Sequence, residues 1–241
     1  MNDSQPVRLS SLPADGVAVV FGASGGVGAA MVENLRAGGG FSHVAALSRR
    51  SDPSFDLTDE ASIARAVAHV TERGPLRLVI DATGFLHDEA QAPEKALRDL
   101  DAAKLARAFA LNAIGPALLM KHVLPALAPS GKAVFATLSA RVGSIGDNHL
   151  GGWYGYRASK AALNQFVRTA AIELKRRRPA ALCIALHPGT VRTQLSDPFT
   201  KDGLEVQTPQ ASASRLLGVI DGLTADQSGG FFDHLGLPIP W

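Results

Sequence analysis

The sequence predicts an α/β fold: one doubly wound parallel sheet with helices on both faces. Three observations carry this expectation. Short apolar runs alternate with longer helical stretches from end to end. A glycine-rich turn, Gly22-Ala-Ser-Gly-Gly26-Val-Gly28, stands between the first apolar run and the first helix. No repeat, linker or shift in composition divides the 241 residues. One domain is therefore expected over residues 1–241, with a flexible N-terminus over residues 1–13.

The elements follow in order. Val17 to Phe21 is apolar throughout, as in a parallel strand covered on both faces. Val27 to Ala37 reads as a helix ended by Gly38-Gly39-Gly40. His43 to Leu47 is a second strand. Thr58 or Asp59 caps a helix to about Glu72. Leu78 to Asp81 is a strand, and Asp101 caps a long helix to about Val123, stopped by Pro125. Ala133 to Leu138 is a strand. Trp153 to Arg178 is a long helix whose basic end complements its dipole. Ala181 to Leu186, a helix from Ala211 to Gly222, and a short strand from Gly230 to Asp233 complete the pattern.

Composition narrows the function classes. Lys and Arg total 24 against 22 Asp and Glu, a formal charge of +2, so no broad basic face for nucleic acid is expected. Mean hydropathy is +0.09. Yet Gly, Pro or charges interrupt each apolar run before the roughly 20 residues of a membrane helix. Met1 to Pro6 has no basic segment followed by an apolar one, so no secretory leader is expected. The one cysteine, Cys183, lies in an apolar strand and reads as buried and inert. A reducing, cytoplasmic setting is expected. The seven histidines show no metal spacing.

The glycine turn is where a dinucleotide would sit. Glycine permits a tight turn and close approach of backbone N–H groups to a pyrophosphate, and the helix N-terminus favours the phosphates. Gly22, Ser24, Gly26, Val27 and Gly28 are the candidate residues. A carboxylate about 20 residues on would bind the ribose hydroxyl of NAD. Here the second strand ends Leu47-Ser48-Arg49-Arg50 instead. A guanidinium there suits a 2′-phosphate, so NADP is preferred over NAD and Arg49 is the candidate selector. Asp56 is placed to close over the adenine.

The chemistry is expected at the other motif. Ser139 ends a strand on the edge where open α/β sheets bind ligands. Tyr156 and Lys160 follow at i, i+4 spacing on one helical face. A phenol has a pKa of about 10, and a neighbouring ammonium is expected to lower it. Ser139 can polarise a carbonyl while the phenol exchanges a proton.

Glycine turn, strand-end serine and Tyr-x-x-x-Lys, in that order, resemble the short-chain dehydrogenase/reductase family over residues 14–233, in its single-domain Rossmann-fold branch. The resemblance implies that Tyr156 donates and accepts the proton and that Lys160 holds the nicotinamide ribose. It implies that Ser139 orients the carbonyl and Asn112 holds a water in a proton relay. It places Gly84, Pro188, Gly189, Val191 and Thr193 against the cofactor. One departure stands out. Asp81-Ala-Thr-Gly84 replaces the family's Asn-Asn-Ala-Gly, keeping the glycine and losing both asparagines. Leu150-Gly-Gly-Trp-Tyr154 and the Pro-Trp ending resemble a C-factor-like subgroup of bacterial proteins, some of them signalling proteins.

Gln194 to Gln207 reads as a loop, a substrate lid in such a family. His149, Trp153, Leu195, Phe199 and Leu204 are candidate wall residues. The leading expectation is an NADP-dependent oxidoreductase that reduces a small, apolar aldehyde or ketone. The alternative is a nucleotide-binding signalling protein with little turnover. The resemblance implies a homodimer or homotetramer built on the two long helices, and no nucleic-acid, membrane or metal partner is expected.

Overall fold

The computed structural model describes residues 6–196, 199 and 206–241. Six parallel strands form the main sheet: β1 (Val17–Phe21), β2 (His43–Leu47), β3 (Leu76–Asp81), β4 (Ala133–Leu138), β5 (Ala181–His187) and β8 (Phe231–Asp233). Their spatial order is β2-β1-β3-β4-β5-β8. The direction of winding reverses between β1 and β3, so the crevice for a ligand opens there, at the C-terminal ends of the strands.

Period-two alternation shares the strands between two cores. Val17, Val19 and Phe21 of β1 join Val79, Phe135 and Cys183 beneath α2 (Glu60–Thr71), α4 (Gly115–Val123) and α5 (Tyr154–Arg177). Ala18 and Val20 face the other way, with Ile80, Val134 and Ile184, against α1 (Gly26–Gly38) and α6 (Pro209–Gly222). Asp59 caps α2 by accepting from Ala61 N, which settles the choice between Thr58 and Asp59.

Four sequence expectations change. First, the helix from Asp101 to Val123 is interrupted. α3 (Ala102–Phe109) runs into a π-helical turn over Ala110–Ile114 before α4 begins. Such turns widen a helix where a side chain must be aimed, and this one carries Asn112. Second, residues 7–12 are anchored. Leu9 and Leu12 are buried, Val7 N donates to Asn34 Oδ1, and Ser11 N donates to Asp221 Oδ1. Third, the segment after Thr193 is not all loop. β7 (Val206–Gln207) pairs in parallel with β6 (Thr190–Val191). A two-residue pair leaves no periodicity to read. Fourth, the helical run Ala102–Ala126 is apolar and long enough to span a membrane by composition alone. Here α3, the π turn and α4 all pack against α5.

Candidate active site

The glycine turn is held by backbone alone. Gly22 N and Ala23 N both donate to the Leu47 carbonyl, at 2.9 and 3.1 Å. Gly25 N donates to Gly22 O. Gly22 adopts φ +78°, and a Cβ there would stand 2.8 Å from the Ala82 backbone. A Cβ on Gly28 would stand 2.4 Å from Gly22 O. Side chains at either position would collide with backbone, so glycine is what lets the turn close this tightly against the N-terminus of α1. A turn of this shape, leading into a helix N-terminus, fits a dinucleotide pyrophosphate.

Residues distant in sequence close this cradle. Thr193 meets the turn: a Cβ on Gly26 would lie 2.9 Å from Thr193 Cγ2. Thr193 N donates to Ser196 Oγ, and the two hydroxyls lie 3.1 Å apart. The Pro188 carbonyl accepts from Ser212 Oγ, and Gly189 turns at φ +78° against Gln207. Val191 is buried in the small two-strand pairing. Ser24 is exposed on the turn, and Val27 packs on the α1–α6 core. Arg49 is exposed just past β2. Asp56 Oδ1 accepts from Thr58 N and Oγ1, which hold its carboxyl below the usual range, and Arg49 adds to this.

Helix α5 assembles the second cluster. Its N-terminus is unusual. Trp153, at the capping position, has φ +52° and follows Gly151 and Gly152 at φ +65° and +66°. A non-glycine residue there is strained, and buried Glu94 holds it. The Glu94 carbonyl accepts from Trp153 N, and its carboxylate accepts from Gly155 N at 3.0 Å. The carboxylate thus does what a capping side chain would do. The indole is left to face Tyr156, with ring centroids 6.2 Å apart. Phe199 packs edge-on against Trp153, and His87 edge-on against Phe199, each at 5.1 Å. His87, Phe199, Trp153 and Tyr156 form one aromatic row. His149 and Leu150 are exposed, Leu195 is partly buried, and Leu204 lies outside the described residues.

Tyr156, Lys160 and Asn164 follow one another at four-residue spacing on α5. Lys160 is 2% exposed and donates from Nζ to the Leu138 carbonyl at 2.8 Å. Ser139, the next residue, is held by Ser139 N donating to Leu186 O. Its hydroxyl donates to Asn164 Oδ1 at 2.6 Å. Asn112 is fully buried in the π turn. Its Nδ2 donates to Phe85 O and Ser159 Oγ, and its Oδ1 accepts from Phe85 N. The Asn112 amide thus ties the π turn to α5 and to the loop segment after Gly84. Its donors are spent, so they are not free for the water expected of it.

Electrostatics correct a second expectation. Lys160 Nζ lies 5.9 Å from the Tyr156 ring centre, yet the phenol of this partly buried residue is pushed up, not down, to about 12 by loss of water around it. Burial also lowers Lys160 to about 8, with Asp81 pulling it back up. Asp81 is fully buried at the end of β3, and burial raises its carboxyl. Thr83 N, Thr83 Oγ1 and Thr137 Oγ1 donate to it at 3.0, 2.5 and 2.7 Å, opposing that rise. The departure from the family pattern thus puts a buried acid near the lysine. Gly84 remains close, with its Cβ position 3.7 Å from Lys160 Nζ.

Among the described residues no cluster suited to a metal occurs, and Cys183 is buried with its thiol pushed up. Sequence reasoning missed Asp81's charge, His87, Glu94 and Asn164. The four-residue spacing after Lys160 was a visible signal for Asn164. Glu94 left none, because its partners are backbone atoms some 60 residues away.

Comparisons with known proteins agree with this geometry. A family model described as enoyl-(acyl carrier protein) reductase matches residues 12–220. The C-signal protein of Myxococcus xanthus is 40% identical over 147 residues, 61% of this chain and 84% of that protein. A 1-hydroxy-2-glutathionyl-2-methyl-3-butene dehydrogenase of Rhodococcus sp. (strain AD45) is 32% identical over 190 residues, 79% of this chain and 80% of its own length. The crystal structure of NADPH-bound carbonyl reductase from chicken fatty liver matches with a TM-score of 0.81 at 26% identity, over 93% of this chain and 94% of that one. Fold, site order and relatives converge: the chain belongs to the short-chain dehydrogenase/reductase family and is an NAD(P)-using oxidoreductase of that family.

Proposed function

We propose that this chain uses NADPH to reduce a small, apolar, preferably aromatic aldehyde or ketone to its alcohol. The observation that carries this reading is the convergence of Ser139, Tyr156 and Lys160 at the C-terminal edge of β4, beside the glycine cradle. When bound, the nicotinamide supplies the hydride. Ser139 would orient and polarise the carbonyl by its hydroxyl. Tyr156 would deliver the proton to the forming alkoxide. A phenol near 12 stays protonated at neutral pH, which suits a proton donor better than a base. Lys160, near 8, is mostly charged at pH 7 and would hold the ribose hydroxyls. The row of His87, Phe199 and Trp153 offers aromatic faces and edges to a planar, apolar substrate.

The preference for NADPH rests on Arg49, exposed after β2 where a ribose-binding carboxylate would otherwise stand. We also infer a homodimer, supported by exposed Ile114, Phe166 and Ile172 on the π turn and α5.

The second reading, a nucleotide-binding signalling protein with little or no turnover, is compatible with the 40% identity to C-signal. Tyr156→Phe separates the two. Assayed with NADPH on a panel of aryl aldehydes, ketones and quinones, it should lose turnover by about 10²–10⁴ while keeping NADPH affinity. Turnover equal to wild type, or none in wild type, would remove the reductase reading.

A further inference from the structure

We propose that Asn164 is a positioning residue that sets the direction of the Ser139 hydroxyl. The proposal rests on the reductase reading of Ser139 and deepens it.

The geometry presents a conflict. Polarising a carbonyl requires the Ser139 proton to point at the substrate oxygen. In the structure that proton is donated to Asn164 Oδ1 at 2.6 Å. Ser139 therefore offers only lone pairs, which repel a carbonyl oxygen. On the same side chain, Asn164 Nδ2 is buried with no hydrogen-bond partner among the described residues. Asn164 is 2% exposed, so water does not readily satisfy it. Two unused donors in a buried amide are costly, and orphaned N–H groups are rarer than under-used carbonyl oxygens.

A half-turn of the carboxamide resolves both problems. It brings Nδ2 to Ser139, where it donates to Oγ. The serine proton is released, and one formerly unpaired donor is satisfied. Oδ1 takes the vacated position, where an under-used acceptor is tolerated more easily. The two states differ by one rotation and by the direction of one hydrogen bond. In the first, the hydroxyl is held away from chemistry. In the second, it is supported as a donor. An arriving carbonyl oxygen favours the second, because only there does it gain a hydrogen bond. The four-residue spacing places Asn164 on the face of α5 that carries Tyr156 and Lys160, so one helix aims the proton donor, the ammonium and the serine's support.

Substitutions test the direction of the bond. Asn164→Asp, assayed at a pH where the new carboxyl is ionised, keeps the shape and can only accept from Ser139. With 4-nitrobenzaldehyde and NADPH, its kcat should fall as far as that of Ser139→Ala, on the order of a hundredfold. Asn164→Leu removes the competing acceptor and should lose less. In the Ser139→Ala background, Asn164→Asp should add almost nothing. If Asn164→Asp stays within about threefold of wild type, or slows the Ser139→Ala variant as much as it slows wild type, the proposal fails. The second result would place the effect on Lys160 or on the fold.

A readout without turnover keeps the proposal distinct from the reductase reading. The Asn164 side-chain amide is assigned by its loss in Asn164→Asp and followed by ¹⁵N–¹H NMR. Acetophenone with NADP⁺, which cannot react together, should move one amide proton downfield in wild type and not in Ser139→Ala. An unmoved resonance overturns the proposal, whether or not the wild-type protein turns anything over.

Discussion

Two regions of the same sheet edge are built in opposite ways. The glycine cradle after β1 uses backbone groups that are already paired: Gly22 N, Ala23 N and Gly25 N all have acceptors. The cluster at β4 and α5 uses side chains whose state is not yet that of the reaction. Tyr156 lies near 12, Ser139 points its proton at Asn164, and Asn164 Nδ2 is unpaired. The difference follows from the two tasks. In the cradle the internal bonds only set the shape of the turn, and the first N–H groups of α1 are left to meet a pyrophosphate, so the binding half can be complete before the ligand arrives. Proton transfer needs groups that change state, and burial holds the phenol in its acid form until opposite charge enters the site.

The cradle is broken most severely at its tightest point. Gly28→Ala drives a methyl within 2.4 Å of the Gly22 carbonyl, which is backbone and cannot yield. About 3 kcal/mol of overpacking should cost NADPH and NADH a hundredfold or more in Kd alike, while circular dichroism still shows the fold. Unchanged affinity would mean that the turn is not the pyrophosphate site. A smaller and more selective effect is expected at Arg49. Arg49→Ala should weaken NADPH by about 1–3 kcal/mol and NADH by far less, since one charged hydrogen bond to a 2′-phosphate is lost. Equal losses measured by fluorescence titration would remove Arg49 as the selector and leave the cradle reading intact.

The two regions also differed in how far the sequence exposed them. Val17–Phe21, His43–Leu47 and Ala133–Leu138 were legible to the residue, because apolar runs between turn signals leave little choice of period. Ser139, Tyr156 and Lys160 were legible from order and spacing. The interior of the helix around Asn112 was not. Ala110 to Ile114 has ordinary helical residues, and the π turn follows from tertiary bonds between Asn112 and Phe85 and Ser159. The raised phenol was also hidden. Sequence spacing reports that Lys160 is near Tyr156 but not how much water burial has removed from both. Asp81 shows the same limit. Its departure from the family pattern was plain, but its closeness to Lys160 required the sheet that sets β3 beside β4.

The comparison stands or falls on the ionisation of one phenol. The chain has only two tyrosines, so Tyr154→Phe leaves Tyr156 as the sole phenol to titrate. Phenolate absorbance should be followed against pH in this variant, free and saturated with NADP⁺. The free protein should show no phenolate until near pH 12, where burial has placed the group. In the saturated protein, added positive charge and a fixed Lys160 should bring the phenolate in at least about two units lower. The same high titration in both states would contradict a site completed by its cofactor.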